Sequence, residues 1–251
     1  MATIETVLQG FSLASNQGSF AFCGVTLIRG VKNILVDVAH VGRRQLLVGR
    51  LAEMGLTPND IDYVFLTHAH WDHILNLDVF PNAQVLVHRN EREYVRHPKD
   101  TDWATPSYVT HLLESSKVRE VAAGEEIDDD VRVLETPGHS IGAISLLVGG
   151  PQGTSAICGD ALPNSLSVST GLPRLVFWEV EAAKASIRTL LEKAQHFYPG
   201  HDRPFTVDGA KIRYLQSTDV RVFGWPTPGE GEGGPAVNYG LDAAYQTLVV
   251  P

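Results

Sequence analysis

The 251-residue sequence predicts an α/β fold, and three observations carry that prediction. Apolar, β-branched runs alternate with stretches of helical periodicity, separated by Gly- and Pro-bearing turns. The run Tyr63-Val64-Phe65-Leu66 stops abruptly at the polar cluster Thr67-His68-Ala69-His70-Trp71-Asp72-His73, as a strand does at the edge of an open sheet. A hydrophobic content of 43% with 20% charged residues supplies one sizeable core.

In chain order, Val25 to Arg29 and Asn33 to Val38 are apolar runs separated by Gly30-Val31-Lys32, which predicts a hairpin ending at Asp37. Arg43 to Met54 places Leu46, Leu47, Leu51 and Met54 at helical spacing and closes on Gly55. Thr57-Pro58-Asn59-Asp60 turns the chain into a strand over Ile61 to Leu66, and Gln84 to His88 is the next strand after a short segment, Asn76 to Phe80. Between Asn90 and Val121 the alternation dissolves into a polar segment with a short helical pattern at Val109, Leu112 and Leu113; such an insertion beside a site is read as a lid or pocket wall. Val131 to Thr136, Ile144 to Val148 and Thr154 to Cys158 are further strands, and Glu179 to Ala194 is an amphipathic helix with Ala183, Ile187, Leu190 and Leu191 on one face. Pro and Gly crowd the tail from Gly224, which ends on Thr247-Leu248-Val249-Val250.

Composition narrows function by exclusion. A net charge of -9 without a Lys/Arg cluster argues against nucleic acid as a partner. No apolar run approaches the roughly 18 residues that span a bilayer, and no basic region followed by an apolar core opens the chain, so a cytoplasmic protein without a membrane partner is expected. Cys23 and Cys158 sit far apart in apolar stretches and read as buried free thiols.

The cluster His68, His70, Asp72, His73 packs three imidazoles and a carboxylate into a few residues, a donor set that suits zinc, iron or manganese. Three later residues share its context: His139 follows Pro137-Gly138, Asp160 follows a strand and Gly159, and His201 follows Pro199-Gly200. Turns at the carboxyl ends of strands are where distant side chains converge, and a preceding Gly lets the backbone turn sharply.

Taken together the pattern resembles the metallo-β-lactamase superfamily, whose signature is H-x-H-x-D-H followed by a single His, an Asp and a final His. The resemblance covers roughly residues 20 to 210, and Thr136-Pro137-Gly138-His139 and Tyr198-Pro199-Gly200-His201 look most like the glyoxalase-II-like and small-hydrolase branches. It implies an αββα sandwich, two mixed β-sheets packed face to face with helices outside, for a domain over residues 1–223; the Pro- and Gly-rich composition of 224–251 is read separately as an arm packing on the domain or on a partner subunit. It also implies two divalent metal ions per chain, zinc first with iron or manganese as alternatives. His68, His70 and His139 would hold the first ion, Asp72, His73 and His201 the second, and Asp160 would bridge. His68 and His70, two apart on an extended segment, point the same way, and Asp72-His73 then turn toward the second centre. Two ions about 3.5 to 4 Å apart share a hydroxide, so a hydrolase with Asp72 as proton carrier is implied. With Asp72, Asp160 and one hydroxide, two dications leave about +1 in the cleft, favouring a small substrate with a carbonyl, carboxylate or nitro oxygen.

Two departures from the family pattern stand out. The usual Asp-Thr-Gly after the first hairpin reads Asp37-Val38-Ala39-His40, and the frequent Gly-Gly-Asn reads Ile74-Leu75-Asn76. Asp37 can still serve as the acceptor behind a ligand imidazole. His40 is read as an ordinary loop histidine ahead of a substrate contact, and Trp71, Trp103, Tyr108, Phe177 and Trp178 are weighed between core packing and an aromatic pocket. His88, His97, His111 and His196 lie outside the signature. The leading reading is a dinuclear hydrolase of a small activated ester, lactone, thioester or aryl ether, lactonase-like or esterase-like. The alternatives are a mononuclear iron enzyme of the persulfide dioxygenase type, which one iron per chain and dioxygen consumption would reveal, and a non-catalytic binding member of the fold, which would be expected to have lost ligands.

Overall fold

The computed structural model describes residues 2–15, 18–209, 211–218, 220 and 248–249. The amino-terminal half supplies strands β1 (Thr3–Leu8), β2 (Phe11–Ser15), β3 (Gly18–Phe22), β4 (Val25–Arg29), β5 (Asn33–Val36), β6 (Tyr63–Phe65), β7 (Gln84–His88) and β8 (Val118–Val121), with helices α1 (Arg44–Glu53), α2 (Trp71–Ile74), α3 (Arg89–Tyr94) and α4 (Tyr108–Glu114). The remainder supplies β9 (Glu126–Asp128), β10 (Val131–Glu135), β11 (Ile144–Gly150), β12 (Gly153–Gly159), β13 (Leu175–Val176), β14 (His196–Pro199), β15 (Phe205–Asp208), β16 (Lys211–Tyr214) and β17 (Leu248–Val249), with helices α5 (Leu166–Thr170) and α6 (Val180–Lys193).

Two large sheets result. The first runs β1-β4-β5-β6-β7-β8, antiparallel across β1, β4 and β5 and parallel from β5 to β8; the second runs β16-β15-β14-β12-β11-β10-β9, antiparallel except where β12 meets β14. Strand periodicity decides what each side chain meets. From the first sheet, Ile28, Ile34, Val36, Phe65 and Leu86 face one way and pack on Val131, Val133, Ile144, Leu146, Val148 and Ile157 of the second. Their neighbours Leu27, Leu35, Val64, Val85 and Val87 face the other way, onto Leu47 and Leu51 of α1. On the far side of the second sheet, Ala156 and Cys158 pack on Ile187 and Leu190 of α6. The order is helix, sheet, sheet, helix, with each large apolar side chain so buried worth about 1.5–3 kcal/mol.

Residues 90–121 are not an irregular insertion throughout: α3 opens the segment and β8 closes it as the edge of the first sheet. The sequence Val118-Arg119-Glu120-Val121 hides this strand because its middle charges, paired as Arg119–Glu125 and Arg92–Glu120, guard an exposed edge. The strands β1 to β3 precede the expected first hairpin. Of the expected arm 224–251, only 248–249 are described, and they pair in parallel with Leu175–Val176; the rest lies outside the described residues. Cys23 and Cys158 are buried and unbridged. Among the described residues, no helix is long and apolar enough to cross a membrane.

Candidate metal centre

The chain leaves β6 at Phe65 and passes through His68 to His70, whose backbone is extended at φ -66, ψ 149, before winding into α2. His70 therefore projects from extended backbone and His68 from the non-helical segment before it, whereas Asp72 and His73 project from one helical turn. His139 enters from the loop between β10 and β11, Asp160 from the end of β12 and His201 from just past β14. All seven residues meet at one end of the sandwich.

Glycines set two of these approaches. Gly138 has φ 132, and a Cβ there would run into the backbone of Ala183 at the start of α6. A Cβ on Gly200 would collide with the Asp160 carboxylate and the Gly159 backbone, so β12 and β14 come close enough to place Asp160 beside His201 only because that position is bare.

Ligand atoms fall into three overlapping trios, His68–His70–His139, His68–His73–Asp160 and Asp72–His73–His201, within each of which they lie inside 4.8 Å. His70 Nδ1 stands 3.0 Å from His139 Nε2. Asp160 Oδ2 is 3.5 Å from His139 Nε2 and 3.2 Å from His201 Nε2, and Asp160 Oδ1 is 3.6 Å from His73 Nε2. Asp72 Oδ2 lies 3.4 Å from His201 Nε2 and 3.6 Å from His73 Nε2.

Hydrogen bonds behind the rings decide which nitrogen keeps its lone pair. Asp37 Oδ2 accepts from His73 Nδ1 at 2.8 Å, leaving Nε2 free to face inward. The Thr67 hydroxyl donates to the same oxygen at 2.8 Å and stands 3.1 Å from His68 Nδ1, which then carries its proton and leaves Nε2 bare. His139 Nδ1 donates to the Leu175 carbonyl at 2.8 Å, again turning Nε2 inward.

Among the described residues, His68 Nε2, His73 Nε2, Asp72 Oδ2 and Asp160 Oδ1 are buried without a hydrogen-bond partner. Each such group costs about 1–3 kcal/mol if left unmet. Imidazole lone pairs and carboxylate oxygens converging without donors fit divalent cations, so the residues suit the metals their pattern implies. Burial pushes His68 down and His139 to about 4, keeping both neutral as ligation requires. Burial opposes a charge on His73 too, yet Asp72, Asp37 and Asp160 hold it up at about 10; a dication among those carboxylates would take that proton's place.

Three carboxylates brace the cluster from behind, of which the sequence pointed only to Asp37. It is held at φ 58 and receives the Thr67 N–H at 2.9 Å as well as the two donors already described. Glu91, fully buried, accepts from Ala69 N at 3.0 Å, Ser140 Oγ at 3.0 Å and Gly142 N at 2.9 Å, tying the His68 loop to the His139 loop. Asp102 accepts from Tyr94 Oη at 3.0 Å, Thr105 Oγ1 at 2.9 Å and Ala104 N at 3.0 Å, and lies 3.7 Å from His70 Nε2. Burial alone would raise the Asp102 pKa, but His70, Thr105 and Tyr94 hold it at about 2. Both Glu91 and Asp102 sit in polar stretches whose sequence carries no burial signal. Replacing Asp102 with Asn should lower zinc affinity about 10–100-fold in a chelator competition, with little change in thermal stability.

The aromatic candidates separate by exposure. Phe177 is buried edge-on to His70 and His139, at 4.7 and 5.4 Å, and packs with Ala104, while Trp71 packs against that pair. Trp103, Tyr108 and Trp178 are 57%, 53% and 38% exposed; Trp103 meets Phe177 and Trp178 lies under the Lys99 ammonium. His88 pairs with Glu135 at 3.2 Å, and His97 and His111 are exposed.

The model of the metallo-beta-lactamase superfamily matches residues 20–202. Metallo-beta-lactamase domain-containing protein 1 of Xenopus laevis is 31% identical over 207 residues, spanning 82% of this chain and 82% of that protein. An N-acyl homoserine lactonase of Bacillus thuringiensis is 29% identical over 196 residues, 76% of this chain and 72% of the lactonase. A probable metal-dependent hydrolase from Staphylococcus aureus superposes with a TM-score of 0.66 at 20% identity, over 88% of this chain and 98% of the other, a likeness of fold.

Proposed function

The chain belongs to the metallo-β-lactamase superfamily and is a metal-dependent hydrolase of that fold, and we propose that it holds two divalent ions, zinc foremost, and hydrolyses a small activated carbonyl compound. His68, His70 and His139 would hold one ion, Asp72, His73 and His201 the other, with Asp160 spanning both. The observation that carries this reading is the position of Asp160, whose Oδ2 lies 3.5 Å from a nitrogen of the first trio and 3.2 Å from one of the second.

Ions bound there would lower the pKa of a shared water to about 7 and polarise the substrate's acyl oxygen. The remaining work falls to the chain. Asp72 Oδ2, buried and without a hydrogen-bond partner among the described residues, would take the attacking water's proton and pass it to the leaving oxygen. Asp37 and the Leu175 carbonyl keep His73 and His139 in the tautomer that presents Nε2. The site's small positive balance favours neutral acyl compounds and anions over cations. Lactones head the substrate classes because a lactonase is among the relatives; aryl esters, thioesters and activated aryl ethers suit the same chemistry.

The test is a panel of those four classes with zinc-loaded protein and with His68→Ala. Turnover of at least one class, lost with metal in the variant, is expected; equal rates in the two proteins would refute a metal-borne activity.

A further inference from the structure

His40 stands beside the metal cluster without joining it. Its ring packs on Trp71 with centroids 5.3 Å apart and on Phe22 at 5.1 Å, and Phe22 stacks on Phe11 at 4.4 Å. A row of four rings therefore leads from the β2–β3 hairpin to the residue between His70 and Asp72. The loop carrying His40 is strained, since Asp37 and Ala39 have φ 58 and 59, and Ala39 adopts with a Cβ a conformation suited to glycine. Such strain concentrates where a loop serves a site.

The tautomer of His40 follows from one hydrogen bond. Its Nδ1 accepts the Gly42 N–H at 3.1 Å, so the proton of the neutral ring sits on Nε2. That Nε2 is buried and has no partner among the described residues. A buried donor left unmet costs about 1–3 kcal/mol, a cost that a ligand acceptor in that place removes.

We propose that His40 is a substrate-recognition residue: Nε2–H donates to an acceptor oxygen on a flat, unsaturated leaving group that lies along Trp71 and Phe22. Because the His40 ring meets Phe22 and Trp71 while the ligand imidazoles meet one another, the acceptor belongs to the part of the substrate away from the reacting carbon. The assignment rests on the hydrolase reading and, within the ester class of that reading, singles out esters of hydroxyarenes whose ring carries a carbonyl substituent or comparable acceptor.

The test compares 3- and 4-acetylphenyl acetate with 3- and 4-ethylphenyl acetate, matched in size and differing in the acceptor. Zinc-loaded wild type should prefer an acetyl over its ethyl partner by about tenfold in kcat/KM beyond the ratio for hydroxide alone, mostly through KM. His40→Ala should abolish the preference with zinc content intact. Gly42→Ala should reduce it with the imidazole still present, because the new Cβ would lie 2.8 Å from His40 Cε1 and displace the ring. Quenching of tryptophan fluorescence by 3-acetylphenol against 3-ethylphenol, in metal-free protein, reads the same contact without turnover. A full preference or selective quenching retained in His40→Ala overturns the role of His40 and leaves the hydrolase reading standing. Uniform loss on both esters together with zinc loss assigns His40 a structural part and overturns the role as well. Absence of turnover on every ester, lactone and thioester falls instead on the hydrolase reading.

Discussion

Replacing Asp160 with Ala should lower both zinc occupancy and turnover, the latter by about 10²–10³-fold. The side chain is buried, and its two oxygens face His73 on one side and His139 and His201 on the other. Burial alone would raise its pKa, yet His201, His73 and His139 hold it well below the usual carboxylate range, so it is a standing negative charge. Removing it takes away the one carboxylate that faces both trios, and the two proposed cations would lose the charge that screens one from the other. His97→Ala, at an exposed position, should change neither quantity. Metal analysis with steady-state kinetics on the two variants checks this, and retained zinc and rate in Asp160→Ala would refute the bridge.

Replacing Asp37 with Ala should destabilise the fold by roughly 3–5 kcal/mol, because it strands buried donors that one carboxylate satisfies. Thr67 N, Thr67 Oγ1 and His73 Nδ1 all converge on it, and the first of these anchors the backbone from which His68 departs. A chain of this size loses about 2–4 °C in Tm per kcal/mol, so a fall of roughly 10 °C or more is expected by calorimetry. Zinc affinity should fall with it, since His73 loses the bond that orients its ring. An unchanged Tm would mean that water replaces the carboxylate without cost.

The cluster was legible in the sequence for a physical reason. His68, His70, Asp72 and His73 are too dense for chance surface residues, and His139, Asp160 and His201 each follow a glycine at the end of a strand. The two-sheet sandwich came from the family resemblance; strand rhythm alone indicated only α/β layering. What stayed hidden depends on tertiary docking. Glu91 lies in Arg89-Asn90-Glu91-Arg92-Glu93, a run that reads as a solvated face, and becomes buried because the Ala69 and Gly142 amides close over it. Asp102 is similar, its role visible only once Tyr94 and Thr105 are brought to it. His40 lies in a loop, as its sequence context indicates, and only the Gly42 hydrogen bond of the folded chain assigns its proton to a buried, unmatched nitrogen.

The central proposal is that one chain uses two ions sharing Asp160, and zinc titration of the metal-free protein tests it most directly. Hydrolysis of a responsive ester or lactone should rise with added zinc and level off at about two equivalents per chain. Full activity at one equivalent, with the second bound silently or not at all, would contradict it.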